Sequence, residues 1–514
     1  MVTNYYISHK KEQGFFMSDL EKYFSQFRKN IIGIDAEFET PFGVKKLIYA
    51  DWIASGRLYK PIEGKLCETF GPLVGNTHSE ASVTGTTMTF AYHEAHKIIK
   101  EHVNAGKDDV IITAGSGMTT VICKFQRLLG LKVPEQLADY LKLPPELKPV
   151  VFTTHMEHHS NQTTWLETIA DVVVINPDKN GLVDFNDFNE KLEKYKNRTL
   201  KIGAFTAASN VTGIEPDYFK LSKMIHQYGG FSFIDFACAA PYVKIDMHPA
   251  DLDAKLDAIY FSPHKFLGGP GTPGVLIFDS KLYKNKVPDL PGGGTVDWTN
   301  PWGQHKFIAN IEAREDGGTP AFLQTIKAAL CIKLKEEMNV DKIRVREDEL
   351  VKTVFERLKK NPTLHILAEN IEHRLGAISY YVENIHYNLI VKLLNDRFGV
   401  QVRGGCSCAG TYGHYLLHVD PNHSKVITDK IDHGDLSEKP GWVRMSIHPT
   451  MTDEELNVFL DGMEQIVQNI DDWSKDYFYD KSKNEFFHHS SNGLELEKIK
   501  GWFNIKQTKE SGIG

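Results

Sequence analysis

The chain has 514 residues, 41% of them hydrophobic and 25% charged, with a formal net charge of −8. That composition suits a folded globular protein of two or three domains. The negative balance removes an electrostatic case for nucleic acid, no apolar run approaches the ~20 residues of a membrane span, and six cysteines are too sparse for a disulfide scaffold.

The opening stretch, "MVTNYYISHKKEQGFF", lacks the positive-then-apolar pattern of a secretory leader. The expectation is a cytoplasmic protein with free thiols, in which Asn161-Gln162-Thr163 has no glycosylation meaning. Residues 1–45 read as an arm with a helix. Over 46–310, short apolar runs alternate with helical stretches: "DVIITAG" (109–115), "PVVFTT" (149–154), "DVVVIN" (171–176), "KIGAFTAAS" (201–209), "GFSFIDFA" (230–237) and "LDAIYFSP" (256–263). Runs this short and this rich in Val, Ile and Phe predict a large domain built on a mostly parallel, buried sheet. The glycine-rich "PDLPGGGTVDWTNPWG" (288–303) interrupts the pattern. A smaller α/β domain is expected over 311–470, and a charged C-terminal extension over 471–514, where Trp502 and Phe503 suggest packing. There are no repeats.

"FSPHKFLGGPGTPG" (261–274) sets a lysine among glycines and prolines. Gly269, Gly271 and Gly274 have the spacing of a dinucleotide fingerprint, but Pro270 and Pro273 lack the N–H groups that phosphate contacts need. The following Val275–Phe278 reads as a strand rather than a helix, so the nicotinamide reading is set aside.

Ligands of open α/β sheets sit outside the carboxyl ends of the strands. There the sequence places Gly115-Ser116-Gly117-Met118, then His158 and His159, then Ser209-Asn210, then Asp235, then Ser262, His264 and Lys265. Small residues opening a helix can cradle a phosphate at its N-terminus; a tight turn is the plain alternative. A buried carboxylate at Asp235 needs a partner, either a cation or a backbone N–H. Adjacent histidines without a cysteine or carboxylate at ligand spacing do not make a metal site, and His93 with His96 supply only two donors, so no metal is expected. Together, a phosphate cradle, a stacking imidazole, a carboxylate for a pyridinium and a lysine for an imine describe the needs of pyridoxal 5′-phosphate.

Over roughly residues 46–470 the chain resembles the class V group of pyridoxal-phosphate enzymes of fold type I, especially group II cysteine desulfurases and selenocysteine lyases. "MEHHSN" (156–161) is similar to the family's E-H-H-[AS]-N, and "SNVTG" (209–213) to its S-N-V-x-G. "IDFAC" (234–238) stands where the family has an Asp-Gly-Ala-Gln type motif, with Cys238 in place of Gln. "FSPHK" (261–265) is similar to S-x-H-K, and "EDGGTP" (315–320) to E-x-G-T-P. The resemblance implies that His158 stacks on the cofactor ring, Asn210 lies near its 3′-oxygen, Asp235 faces its ring nitrogen and Lys265 forms the imine. It implies Ser262 and His264 near the phosphate, and Thr319 reaching the phosphate of a neighbouring subunit in a homodimer.

"VRGGCSCAGTYG" (402–413) resembles the family's R-x-G-x-x-C through Arg403, Gly405 and Cys408, which implies Cys408 as the nucleophile that carries the substrate's sulfur. A thiolate near an arginine suits that role. Cys406 is the rival, and two inert cysteines are the plain alternative. Ser407 stands where the family often has His. "WVRMSIHPT" (442–450) resembles the segment whose arginine grips the substrate carboxylate, implying Arg444. Residues 409–441 look like an insertion, able to form a lid or to mark another substrate. The implied activity is conversion of L-cysteine to L-alanine with a Cys408 persulfide, or selenocysteine lysis, with a sulfur-acceptor protein as a possible partner. A class V aminotransferase, epimerase or C–S lyase without a catalytic thiol, or an inactive scaffold, remain as alternatives.

Overall fold

The computed structural model describes residues 18–77, 80–490 and 494–505. The first 17 residues of the arm and the last nine of the extension lie outside the described residues. After helix α1 (Asp19–Arg28) and the long α2 (Val83–His102), a large sheet is built from β1 (Asp109–Ala114), β2 (Val150–Thr154), β3 (Asp171–Ile175), β4 (Lys201–Thr206), β5 (Phe231–Asp235), β6 (Ala258–Phe261) and β7 (Gly274–Asp279). Its order is β1-β7-β6-β5-β4-β2-β3. Strands β6, β5, β4, β2 and β3 pair in parallel, and β7 runs antiparallel between β1 and β6.

Except for the edge strand β3, which is half-buried over Asp171–Val174, the strands are largely buried on both faces, which is why they read as unbroken apolar runs. Alternate residues feed two separate cores. Ile111, Phe152 and Phe205 join one, and Val110, Val151 and Ala204 join the other. Helix α3 (Phe322–Met338), which follows the glycine-rich stretch, contributes Ile326, Ala329 and Ile332 to the first of these, as α1 does with Phe24 and Phe27.

The second unit begins with α4 (Val340–Leu358). Its antiparallel sheet contains β8 (Leu364–Ile366), β9 (Ala377–Val382), β10 (Arg403–Gly405) and β11 (Trp442–Ser446), in the order β8-β9-β11-β10. Helix α5 (Asp453–Trp473) starts with a capping box between Thr452 and Glu455, and packs Leu456, Phe459 and Met463 against Ile378, Val443 and Met445. An early segment enters this unit: Ile48–Tyr49 pairs in parallel with Val400–Gln401, and Ser446 N–H donates to the Ala50 carbonyl at 2.7 Å.

The segment 409–441 forms two helices, Gly410–Leu416 and Pro421–Asp432. The first is tied down: Tyr412 is buried with its hydroxyl 3.3 Å from Thr212 Oγ1, and Thr411 Oγ1 donates to Gln162 Oε1 at 2.8 Å. The expected packing of the C-terminal extension through Trp502 and Phe503 is corrected here: they are 72% and 82% exposed. The hairpin Tyr477–Asp480/Glu485–His488 packs instead, with Tyr477 buried and donating to Asp396 Oδ2 at 3.0 Å. No helix among the described residues is long and apolar enough to cross a membrane.

Candidate active site

The carboxyl ends of β1, β2, β4, β5 and β6 open on one cavity of about 380 Å³, a volume suited to a cofactor with its substrate. At the end of β6 the chain makes a single 3₁₀ turn, Pro263–Lys265, that aims Lys265 into the cavity. The glycines after it allow the turn to be packed closely. A Cβ on Gly269 would lie 1.9 Å from the Pro263 carbonyl oxygen, and one on Gly56 would lie 1.9 Å from that of Phe266. Backbone thus closes on the lysine turn from two sides. The Lys265 amine has no hydrogen bond or ion pair among the described residues. Burial lowers its pKa from the ordinary lysine value, against the opposing pull of Cys238 and Asp235.

Asp235, at the end of β5, is 3% exposed and accepts the Ala237 N–H at 2.7 Å. Burial pushes its carboxyl up to about 6, while that N–H and Lys265 pull it down. His158 caps the helix His159–Leu166, its Nδ1 accepting the Ser160 N–H at 3.1 Å. The proton therefore sits on Nε2. Burial, reinforced by Lys265, brings its pKa down to about 3, so the ring is neutral. At the first strand end, Ser116, Gly117 and Met118 line the cavity. The Met118 N–H is taken by Ser262 Oγ at 2.8 Å, which locks the lysine turn to the start of the following helix. His264 lines the same side.

Asn210 donates through Nδ2 to the Ser407 carbonyl at 2.7 Å, while its Oδ1 is buried without a partner. Cys408 is exposed and lines the cavity, whereas Cys406 is half-buried and does not. Ser407 and Cys408 both adopt left-handed backbone, with φ of 51° and 57°, a conformation that costs a non-glycine residue about 1–3 kcal/mol. Arg403 and Arg444 line the cavity beside them.

The cavity thus gathers Ser116, Gly117, Met118, His158, Asn210, Asp235, Ser262, His264, Lys265, Arg403, Cys408 and Arg444. Gly115 stands behind it; its φ of 60° and the Thr120 side chain, 2.5 Å from where a Cβ would sit, mark it as a turn glycine. Thr319 is exposed and does not line the cavity of its own chain. Cys238 does line it, with a thiol raised to about 12 by burial and directed at the Ser209 carbonyl 3.7 Å away.

From the sequence, Asp51 and Glu157 carry no role, and His159 stands at a strand end without the role it takes here. Asp51 bonds Arg444 at 2.6 Å and Arg403 at 3.1 Å. Glu157, 1% exposed, accepts from Thr154 Oγ1 at 2.6 Å, from the Thr206 N–H at 3.0 Å and from Asn161 Nδ2 at 2.7 Å. His159 grips the cysteine loop. The signal for Asp51 is the acidic residue inside "YADWIAS" (49–55), an ambiguous one between apolar residues, whereas Glu157 and His159 stand within "MEHHSN" (156–161), where only His158 is given a role.

These groups fit pyridoxal 5′-phosphate. An amine without a protein partner stands beside a buried carboxylate and a neutral imidazole, and a Cβ on Gly117 would crowd Ser262 Oγ at 3.2 Å. The fold and the cavity define a pyridoxal-phosphate-dependent enzyme of fold type I. The family model "Aminotransferase class-V" matches residues 48–459, and the chain belongs to that family. It is similar to a protein of Pyrococcus abyssi named "probable cysteine desulfurase", 26% identical over 430 residues that span 83% of this chain and 96% of the relative. A Staphylococcus epidermidis protein of the same name is 26% identical over 370 residues, 71% of this chain and 84% of the relative. Among solved structures, the cysteine desulfurase of Thermococcus onnurineus superposes with a TM-score of 0.69 at 22% identity, covering 89% of this chain and 99% of that one. The Escherichia coli cysteine desulfurase CsdA gives 0.67 at 20%, covering 87% and 98%.

Proposed function

We propose that the chain is a cysteine desulfurase-like enzyme, which converts L-cysteine to L-alanine and leaves a persulfide on Cys408. The observation that carries this reading is the exposed Cys408 thiol in the same cavity as Lys265, Asp235 and Arg444. The names of the relatives support it.

In this reading Lys265 holds the cofactor, Asp235 pairs with its ring nitrogen, His158 covers its ring, and Ser116, Gly117, Met118, Ser262 and His264 surround its phosphate. The bound cofactor supplies an electron sink for charge developing at the substrate's α-carbon. Arg444 holds the substrate carboxylate, with Arg403 beside it. Lys265, once free, moves a proton at the α-carbon. The Cys408 thiolate attacks the substrate sulfur: the Cβ–S bond breaks, an S–S bond forms, and the carbon takes a proton to become the methyl group of alanine. The reading extends to a homodimer in which Thr319 serves the partner's site, to a protein that accepts the persulfide sulfur, and to a cytoplasmic setting.

The test is cysteine-dependent alanine and sulfide formation in Cys408→Ser and Cys406→Ser. Loss in the first alone is expected, since a serine hydroxyl is far less ionised and cannot carry a persulfide. Full activity in Cys408→Ser would end the thiol reading, and loss only in Cys406→Ser would move it two residues.

A further inference from the structure

Three hydrogen bonds hold the backbone of the cysteine loop. Asn210 Nδ2 donates to the Ser407 carbonyl at 2.7 Å, the His159 N–H to the Cys408 carbonyl at 2.8 Å, and the Gly410 N–H to His159 Nε2 at 2.9 Å. The loop they hold is strained, with left-handed backbone at Ser407 and Cys408 and a φ of 105° at Gly405. Such conformations persist only where their surroundings over-determine them. One residue, His159, supplies two of the three bonds, to the Cys408 carbonyl and the Gly410 N–H, and so pins the chain immediately after Cys408.

The bond from Gly410 has a chemical requirement. His159 Nε2 must be an unprotonated acceptor, so the ring carries its proton on Nδ1. Adding a proton to Nε2 would set an N–H against the Gly410 N–H. The surroundings favour the neutral ring. Burial lowers the His159 pKa from 6.5. The neighbouring His158 ring, 6.3 Å away, is itself held neutral; on the insertion side Thr411 Oγ1 donates to Gln162 Oε1 at 2.8 Å, and the titratable group there is His414, whose Nδ1 lies 2.8 Å from the Gly410 carbonyl. The ionisable groups of the loop are the thiols of Cys406 and Cys408, and His159 forms no ion pair among the described residues.

We propose that His159 is the positioning residue of the loop that carries Cys408, closing it as a neutral imidazole and releasing it on protonation. The glycines flanking the cysteines then give the loop somewhere to go once the clasp opens. The consequence for catalysis rests on Cys408 being the sulfur acceptor; the clasp itself does not.

The test is amide hydrogen exchange of residues 405–411 in the cofactor-loaded full chain, corrected for intrinsic exchange, from about pH 5 to 8. In the parent, protection of the Gly410 amide should fall several-fold toward the acid end of that range, below the ordinary histidine value, since burial lowers the His159 pKa. His159→Gln places an untitratable carboxamide oxygen near the Nε2 position and should make that protection independent of pH. His159→Ala should lower it roughly five- to tenfold throughout, the size of one lost hydrogen bond. A His159→Gln profile that follows the parent, or full Gly410 protection in a folded His159→Ala, overturns the clasp. If His159→Ala fails to fold, the His159→Gln profile decides alone. Because no turnover is read, a failed clasp with normal alanine formation leaves the desulfurase reading standing, and the converse result separates the two as clearly.

Discussion

Asp51 carries Arg444 and Arg403 on its two oxygens: Oδ1 accepts from Arg444 Nη2 at 2.6 Å and Oδ2 from Arg403 Nε at 3.1 Å. Arg444 also donates to the Asn210 carbonyl at 3.1 Å, which leaves its buried Nε without a partner. One carboxylate therefore aims two guanidinium groups that arrive on different strands.

Asp51→Asn should weaken binding of the amino-acid substrate more than it slows turnover. The new NH₂ group would face one of the two guanidinium groups, and charge-assisted bonds of this kind contribute about 1.5–3 kcal/mol. We expect KM to rise roughly tenfold or more with a smaller change in kcat. Steady-state kinetics on L-cysteine decide it; an unchanged KM would remove Asp51 from the substrate site.

Lys265→Ala should abolish covalent retention of the cofactor and lower turnover by orders of magnitude, because the cavity contains no other lysine among its lining residues. Borohydride reduction followed by peptide mass spectrometry should find the cofactor's mass on the Lys265 peptide of the parent and on no peptide of the variant. Its appearance on another lysine would contradict the assignment.

Cofactor affinity should depend on pH through Asp235. With burial raising its carboxyl to about 6 in the cofactor-free chain, the group is neutral below that pH and ionised above it. Only the ionised form pairs with a cationic ring nitrogen. Affinity is therefore retained above about pH 6 and should decline by about tenfold per unit below it. Asp235→Asn should remove this dependence and lower affinity at neutral pH. Absorbance titrations of the cofactor-free chain from about pH 5 to 8 measure both; parallel profiles in parent and variant would exclude Asp235 as the titrating group.

Glu157→Gln, though nearly isosteric, should destabilise the fold. Every group facing this carboxylate is a donor: the Thr154 N–H and Oγ1, the Thr206 N–H and Asn161 Nδ2. Asn161 cannot simply flip to offer its oxygen, because that oxygen already accepts from Tyr260 at 2.6 Å. A carboxamide NH₂ would meet a donor, at a cost of about 1–3 kcal/mol. Thermal and denaturant unfolding should both show the loss, and a variant as stable as the parent would contradict the donor-only geometry.

Much of this architecture is legible in the residues. Strands such as "DVIITA" and "PVVFTT" read directly because a sheet covered on both faces demands continuous Val, Ile and Phe. The turn at Lys265 is legible because glycine and proline punctuate the chain wherever backbone must bend or approach closely, and Gly269 does approach Pro263. The antiparallel direction of Gly274–Asp279 is not legible, since a buried strand looks alike either way.

What the sequence by itself determined is the set of strand ends that carry polar groups, and with them the class of cofactor. The tertiary structure alone decided how those groups are held. Asp51 reaches Arg444 because Ile48–Tyr49 adds itself to the C-terminal unit beside Val400–Gln401. His159, next to a cavity residue, turns to the cysteine loop because that loop packs across the helix it begins. Cys408 lines the cavity and Cys406 does not, although two positions separate them. Trp502 and Phe503 remain exposed while Tyr477 is buried. Local periodicity encodes which face of an element is apolar. Which distant element meets that face depends on long-range pairing and packing, and neither leaves a local pattern.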